Sequence, residues 1–123
     1  MAALVEDARA HGVNVEFTDS VDRSAEPLAG AVGRAVYRIV QEGLTNATKH
    51  APGALVSVEL SGAPGSGVTV VVRNRLGFPP EAAAGAGLGL VGLAERAELR
   101  GGTLTHGREG PMFVLRASIP WAA

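Results

Sequence analysis

Cysteine is absent from the 123 residues. That excludes disulfides, a thiol nucleophile and zinc–thiolate sites, and makes a reducing cytoplasm the expected compartment. Aromatic residues are only 4% of the chain, so whatever core it builds must be aliphatic. Neither sign of charge prevails: 11 Lys and Arg stand against 12 Asp and Glu, a formal net charge of -1. Such a balance offers no electrostatic footprint for nucleic acid. No stretch approaches the ~20 consecutive apolar residues of a membrane span. The first residues carry acids at Glu6 and Asp7 and lack the basic-then-apolar layout of a secretion signal. Glycine, by contrast, is plentiful at 17 residues, more than loops alone require, and several are expected to do backbone work. The length suits one domain, 1–123, able to fold without staples.

Apolar spacing over 2–11 predicts a helix that leaves at His11-Gly12. Val13 to Phe17 alternates with period two, as a half-buried strand does. The polar stretch Asp19 to Gly30 is expected to be a connection. A long helix is predicted from about Ala31 to His50, with Val32, Val36, Ile39, Val40, Leu44 and Ala47 as its core stripe and Ala51-Pro52-Gly53 as its stop. Alternating runs at 54–60 and 68–73 flank a hairpin-like turn, Ser61 to Gly67. Leu76 to Gly87 holds Pro79-Pro80, alanines and glycines with little to bury, which predicts a mobile segment. A helix over 88–99, closed by Gly101-Gly102, and strands at 103–106 and 112–119 complete the chain. Strands arriving in consecutive pairs predict an α/β (α+β) two-layer sandwich, with about three helices on one face of a mixed, mostly antiparallel sheet, and argue against a doubly wound parallel fold.

On the long helix, Glu42, Asn46 and Lys49 stand at i, i+4 and i+7 and share one side. A carboxylate, an amide and an ammonium in one row are the groups a magnesium–triphosphate site needs: oxygen ligands for a hard cation that keeps several waters, and a cation for phosphate oxygens. The bland alternative is a solvated face with a Glu-to-Lys pairing. Against it, Gly43, Thr45 and Asn46 are weak helix formers clustered around Glu42, as if propensity were given up for a site. The second feature, Gly85-Ala-Gly-Leu-Gly-Leu-Val-Gly92, passes from the glycine-rich segment into a helix. Its backbone amides and helix start suit a bound anion, though no Gly-Lys-Ser/Thr follows as in a P-loop, and a hinge with close packing explains the same glycines.

Together these motifs resemble the nucleotide-binding domain of histidine kinases (the Bergerat fold), shared with gyrase, heat-shock chaperones of that fold and the mismatch-repair ATPases. Gln41-Glu42-x-x-x-Asn46-Ala47-x-Lys49-His50-Ala51 is similar to the family's asparagine box. Gly85-x-Gly87-Leu88-Gly89-Leu90-x-Gly92-Leu93-x-Glu95-Arg96, with Gly101-Gly102 behind it, resembles the second glycine box of the nitrate-sensor-like branch, whose partners are regulators of the NarL type. Phe113-x-Leu115-x-Ala117-x-Ile119-Pro120 resembles that branch's last strand. The likeness spans Val32 to Trp121.

What the resemblance implies is a protein-histidine kinase: ATP and Mg2+ bound, and the γ-phosphoryl passed to a histidine on the dimerisation and phosphoacceptor domain of the same sensor, then indirectly to a response regulator. Asn46 and Glu42 would serve the metal, and Glu42 would also orient a metal-bound water or the attacking histidine. Lys49 and His50 would contact phosphates. Residues 76–87 would form the ATP lid, with Gly85, Gly87, Leu88 and Gly89 at the nucleotide, Leu88 more as packing than as ligand. The family's Asp-x-Gly-x-Gly is replaced by Asn74-Arg75-Leu76-Gly77-Phe78, and its Gly-Thr by Gly110-Pro111. Asn74 keeps an acceptor for the adenine amino group but loses charge assistance, which predicts weak binding, roughly -8 to -4 kcal/mol. The acceptor histidine is not expected here, since His11 closes a short helix and His106 lies in a late strand. The implied fragment is a cytoplasmic part of a membrane-bound sensor, monomeric by itself, with no nucleic acid or direct membrane contact and no self-phosphorylation. Two alternatives remain at this point: a serine protein kinase of the anti-sigma type, and a non-catalytic nucleotide-binding or interaction module.

Overall fold

The computed structural model describes residues 2–22, 30–50, 53–75 and 87–121. In chain order these form α1 (Ala2–Ala10), β1 (Asn14–Val21), α2 (Gly30–His50), β2 (Leu55–Ala63), β3 (Gly67–Arg75), α3 (Gly87–Leu99), β4 (Thr103–Glu109) and β5 (Met112–Ile119). The strands make one sheet in the order β1-β2-β3-β5-β4. β1 runs parallel to β2, and every other neighbouring pair is antiparallel. The result is the expected two-layer α/β sandwich with a mixed, mostly antiparallel sheet.

Period-two alternation gives the sheet one apolar face. Register places Val58, Val72 and Leu115 in one row across it and Leu60, Val70 and Ala117 in the next, all buried. α2 lays its stripe on this face: Val32, Val36, Ile39, Val40, Leu44 and Ala47 are all buried, each worth up to about 2 kcal/mol of transfer free energy for the larger side chains. Leu90, Leu93 and Ala97 of α3 and Val5 of α1 join the same core. The opposite face is polar, with Arg73–Glu59 and Arg116–Glu109 ion pairs.

Helix ends follow the sequence closely. Gly12 (φ +86°) and Gly101 (φ +80°) leave α1 and α3 in the left-handed region, where glycine carries no Cβ penalty. The paired bonds Val13 N to Ala8 O with Gly12 N to Arg9 O, and Gly102 N to Ala97 O with Gly101 N to Glu98 O, make both exits Schellman caps.

Strand ends differ from the sequence reading. β1 continues to Val21, paired with Gly62, where a connection was expected from Asp19. Partnership with β2 overrides the polar composition, since backbone pairing along an edge asks nothing of the side chains. The β2–β3 loop shrinks to 64–66 because both strands run into what reads as turn. Gly62 (φ +138°) makes this possible: a Cβ there would lie 2.0 Å from Gly67 O. β4 likewise reaches Glu109, so that Gly110 and Pro111 form the tight turn into β5.

Candidate functional site

α2 and β3 run in the same sense beneath the site. Ala35 and Ile39 line a cleft with Ile119, which pairs with Val68 at the start of β3. Gly43 faces Val72 in mid-strand, and Ala47 lies by Val56, which pairs with Asn74 near the end of β3. The helix approaches the sheet so closely at Gly43 that an added Cβ would meet the Val72 side chain at 3.0–3.2 Å. The glycine beside Glu42 therefore has a packing reason, and the idea that propensity is sacrificed there for a site is corrected to that extent. Thr45 and Thr48 fit the helix by donating their hydroxyls back to Gln41 O and Leu44 O, both at 2.9 Å.

Because Gly43 settles the depth of α2, the next turn is carried into the interlayer space. Asn46 is 7% exposed, and its Nδ2 has no hydrogen-bond partner among the described residues. A buried amide hydrogen without an acceptor costs about 1–3 kcal/mol, and in a chain this apolar it is an oddity of the kind that marks a site. Glu42, one turn earlier, is half-buried in a groove shared with Thr45 on α2 and Gly92, Leu93 and Arg96 on α3. It thus faces the helix that begins at Gly87. Lys49 is exposed one turn beyond Asn46 and two beyond Glu42, and His50 is the last residue of α2.

Asn74 lies within β3, where the sequence placed it just past the strand's end. It pairs with Val56 and Phe113 and is 3% exposed. Its amide nitrogen donates to Arg75 O at 3.5 Å, the outer limit of a bond, and its carbonyl oxygen is an acceptor. Gly87, Leu88 and Gly89 form the first turn of α3, so their amides belong to the unpaired start of a helix. Gly85 and all of the expected lid over 76–87 except Gly87 lie outside the described residues. The next residue inward, Leu90, is fully buried.

Sheet register adds residues that spacing could not find. Phe113 stands beside Asn74, and the His106 ring lies 6.2 Å from the Phe113 ring, continuing the same end of the helix-facing surface across β5 to β4. The only signal in the sequence is the strand order, which local alternation does not encode. His11 has the capping role expected of it, its Nδ1 2.8 Å from Asp7 O.

Among the described residues no group of three or more His, Cys, Asp or Glu could hold a metal by itself. A hard cation here would need ligands beyond protein carboxylates, and a site built from one amide oxygen, one carboxylate, phosphate and water suits magnesium. No helix among the described residues is long and apolar enough to cross a membrane.

A profile of the family described as histidine kinase-, DNA gyrase B-, and HSP90-like ATPase matches residues 31–120. The chain is similar to the oxygen sensor histidine kinase NreB of Staphylococcus carnosus, 36% identical over 95 residues, 76% of this chain and 27% of that protein. It is likewise similar to the sensor histidine kinase LnrJ of Bacillus subtilis, 36% identical over 93 residues, 76% of this chain and 22% of that protein. It thus spans about a quarter of the length of these relatives. In fold it matches the blue-light activated histidine kinase of Erythrobacter litoralis, with a TM-score of 0.73 at 18% identity over 98% of this chain and 40% of that one. The catalytic domain of histidine kinase ThkA matches with a TM-score of 0.65 at 17% identity, over 98% of this chain and 93% of that one. The profile covers well over half the chain, from the start of the long helix to the end of the last strand, and the chain belongs to the family of histidine kinase-, DNA gyrase B- and HSP90-like ATPases.

Proposed function

We propose that this domain binds Mg-ATP and transfers the γ-phosphoryl group to a histidine on the phosphoacceptor helices of a parent sensor kinase. The observation that carries the proposal is Asn46: a buried amide with an unpaired donor, one turn from the half-buried Glu42 and at the Asn74 end of β3. An apolar domain keeps such a group where a ligand completes its bonding.

In this reading Asn46 would hold magnesium through its side-chain oxygen while its Nδ2 donates to a phosphate oxygen, and Glu42 would hold a metal-bound water or orient the incoming histidine. Magnesium held there would supply neutralisation of phosphate charge. Lys49 and His50, in the last turn of α2, do the same from the protein side, and the amides of Gly87 and Gly89 receive phosphate oxygens at the start of α3. Asn74 accepts from the adenine amino group through its amide oxygen, a neutral bond where a carboxylate would give a charge-assisted one. Phosphoryl transfer of this kind rests on positioning and charge neutralisation rather than on a covalent enzyme intermediate. Residues 76–87 are proposed as the lid that excludes water, and the domain alone is proposed not to phosphorylate itself. A cytoplasmic location follows from the reaction's need for ATP.

Titration calorimetry with ATP tests the proposal. Wild type is expected to give heat that depends on magnesium, and Asn46→Ala to lose at least about 1.4 kcal/mol of binding, a tenfold weaker affinity. No heat from wild type at millimolar ATP would overturn it in favour of a non-catalytic module, the reading that Asn74 in the adenine position supports. Restoring the phosphoacceptor domain of the parent sensor is expected to bring phosphate incorporation on histidine. Incorporation on serine of a separate protein would point to the other kinase class.

A further inference from the structure

A second cleft runs between α2 and α3 on the far side of Glu42 from Asn46, and its lining is unlike the rest of the molecule. It has a volume of about 520 Å³. Two arginine pairs spaced i, i+4 form its walls, Arg34 and Arg38 on α2 and Arg96 and Arg100 at the end of α3. The floor between them is apolar: Ala35 and Ile39 from α2, Leu93 and Ala97 from α3, with Ile119 beneath. All four arginines are exposed, no acid lines the cleft, and among the described residues none of the four is held in an ion pair. Leu99, 87% exposed, stands at its mouth. In a chain with a net charge of -1, four guanidinium groups without an ion pair among the described residues, set around one apolar trough, are a concentration of charge that folding alone does not require.

We infer that this trough is a docking site for an amphipathic helix of a protein partner, one whose apolar stripe is flanked by Asp or Glu on both sides. The geometry is that of helix-in-groove recognition. Two nearly adjacent helices offer a third a seat, the floor takes its i, i+3 and i+4 side chains, and the walls are spaced to meet carboxylates one turn apart. Arginine suits the walls because its planar fork binds carboxylate with two hydrogen bonds while its stem covers apolar surface. The trough continues into the groove that holds Glu42, sharing Arg38, Leu93 and Arg96 with it. An occupant would therefore lie along the same two helices as the proposed nucleotide site without using its residues.

Fluorescence anisotropy tests this without nucleotide, so that its failure is separate from failure of the kinase reading. The probes are labelled peptides of about 18 residues, long enough to hold helix, with leucines at i, i+3, i+4 and i+7 and flanks of Glu in one and Lys in the other. Wild type is expected to bind the Glu peptide, more weakly as salt rises, and not the Lys peptide. Arg34→Glu with Arg100→Glu is expected to weaken the Glu peptide at least about tenfold and to gain binding of the Lys peptide. Circular dichroism monitors folding, and Arg100→Gln, just beyond the last residue of α3, replaces the pair if the double variant does not fold. Equal binding of the two peptides, or an unchanged affinity in the variants, overturns the inference. So does capture by phosphatidylglycerol vesicles or inorganic phosphate with no binding of the Glu peptide.

Discussion

Asn46 and Asn74 are the two polar side chains that the described core keeps inside, and they differ in what they cost. Among the described residues Asn46 leaves a donor unpaired, so a shape-similar apolar substitute should relieve the penalty. Asn46→Leu is expected to raise unfolding stability by about 1 kcal/mol while abolishing nucleotide binding, a trade between stability and function that thermal melts and calorimetry would read together. A lowered melting temperature would show the amide to be structural instead. Asn74→Asp tests the other residue. It is expected to tighten ATP several-fold through a charge-assisted bond and to destabilise the free protein, since a buried carboxylate costs more than a buried amide. Of this pair, the spacing of Glu42, Asn46 and Lys49 was legible because helical period is fixed by covalent geometry. The burial of Asn46 was not, since it depends on how deeply a neighbouring glycine lets the helix sink.

That glycine is best understood as part of α2. In an isolated helix Gly43→Ala would gain about 1 kcal/mol of propensity. Here the new methyl meets Val72 at 3.0–3.2 Å, and lifting the helix off β3 is expected to cost about 1–3 kcal/mol and win. Denaturant melts should show Gly43→Ala destabilised and Val72→Ala partly restoring it in the double variant. Additive losses would mean that the contact does not set the spacing. Elements with an internal period could be located from sequence to within a few residues: the stripe of α2, the alternation of β2, β3 and β5, and the glycine exits of α1 and α3. Strand ends were misplaced where backbone pairing overrode side-chain character, at Asp19 to Val21, at Ser61 to Ala63 and beyond His106. Parallel pairing of β1 with β2 was not legible either, because it joins strands separated by the whole of α2.

Over the whole molecule, the two sides of the sheet behave differently. On the side away from the helices Arg116 holds Glu109 through contacts of 2.5 and 3.3 Å. The Arg116 hydrogen bond, helped by its charge and that of Arg73, keeps the Glu109 carboxyl below its ordinary value. A carboxylate whose folded pKa is depressed adds stability that is present above its unfolded pKa of about 4.3 and fades as pH falls through the lower folded value. Glu109→Gln is therefore expected to flatten the acid limb of the stability curve below pH of about 4, with little change at pH 7 in high salt. An unaltered acid limb would remove the pair from that account. The net charge of -1 gave no warning of the arginine trough, because composition averages over a surface while folding sorts it.

The exit of α3 carries one more implication. Gly102 sits so near β5 that a methyl group there would fall 2.3 Å from Ser118 O, and its amide is tied back to Ala97 O at 2.8 Å. This end of the helix is riveted to the sheet, whereas the opposite end starts at Gly87 beside the proposed phosphate contacts. A shift at that start must then turn α3 as a lever about Gly101 and Gly102, and because Arg96 and Arg100 ride close to the fulcrum, they would barely move while Gly92 and the wall opposite Glu42 travelled farther.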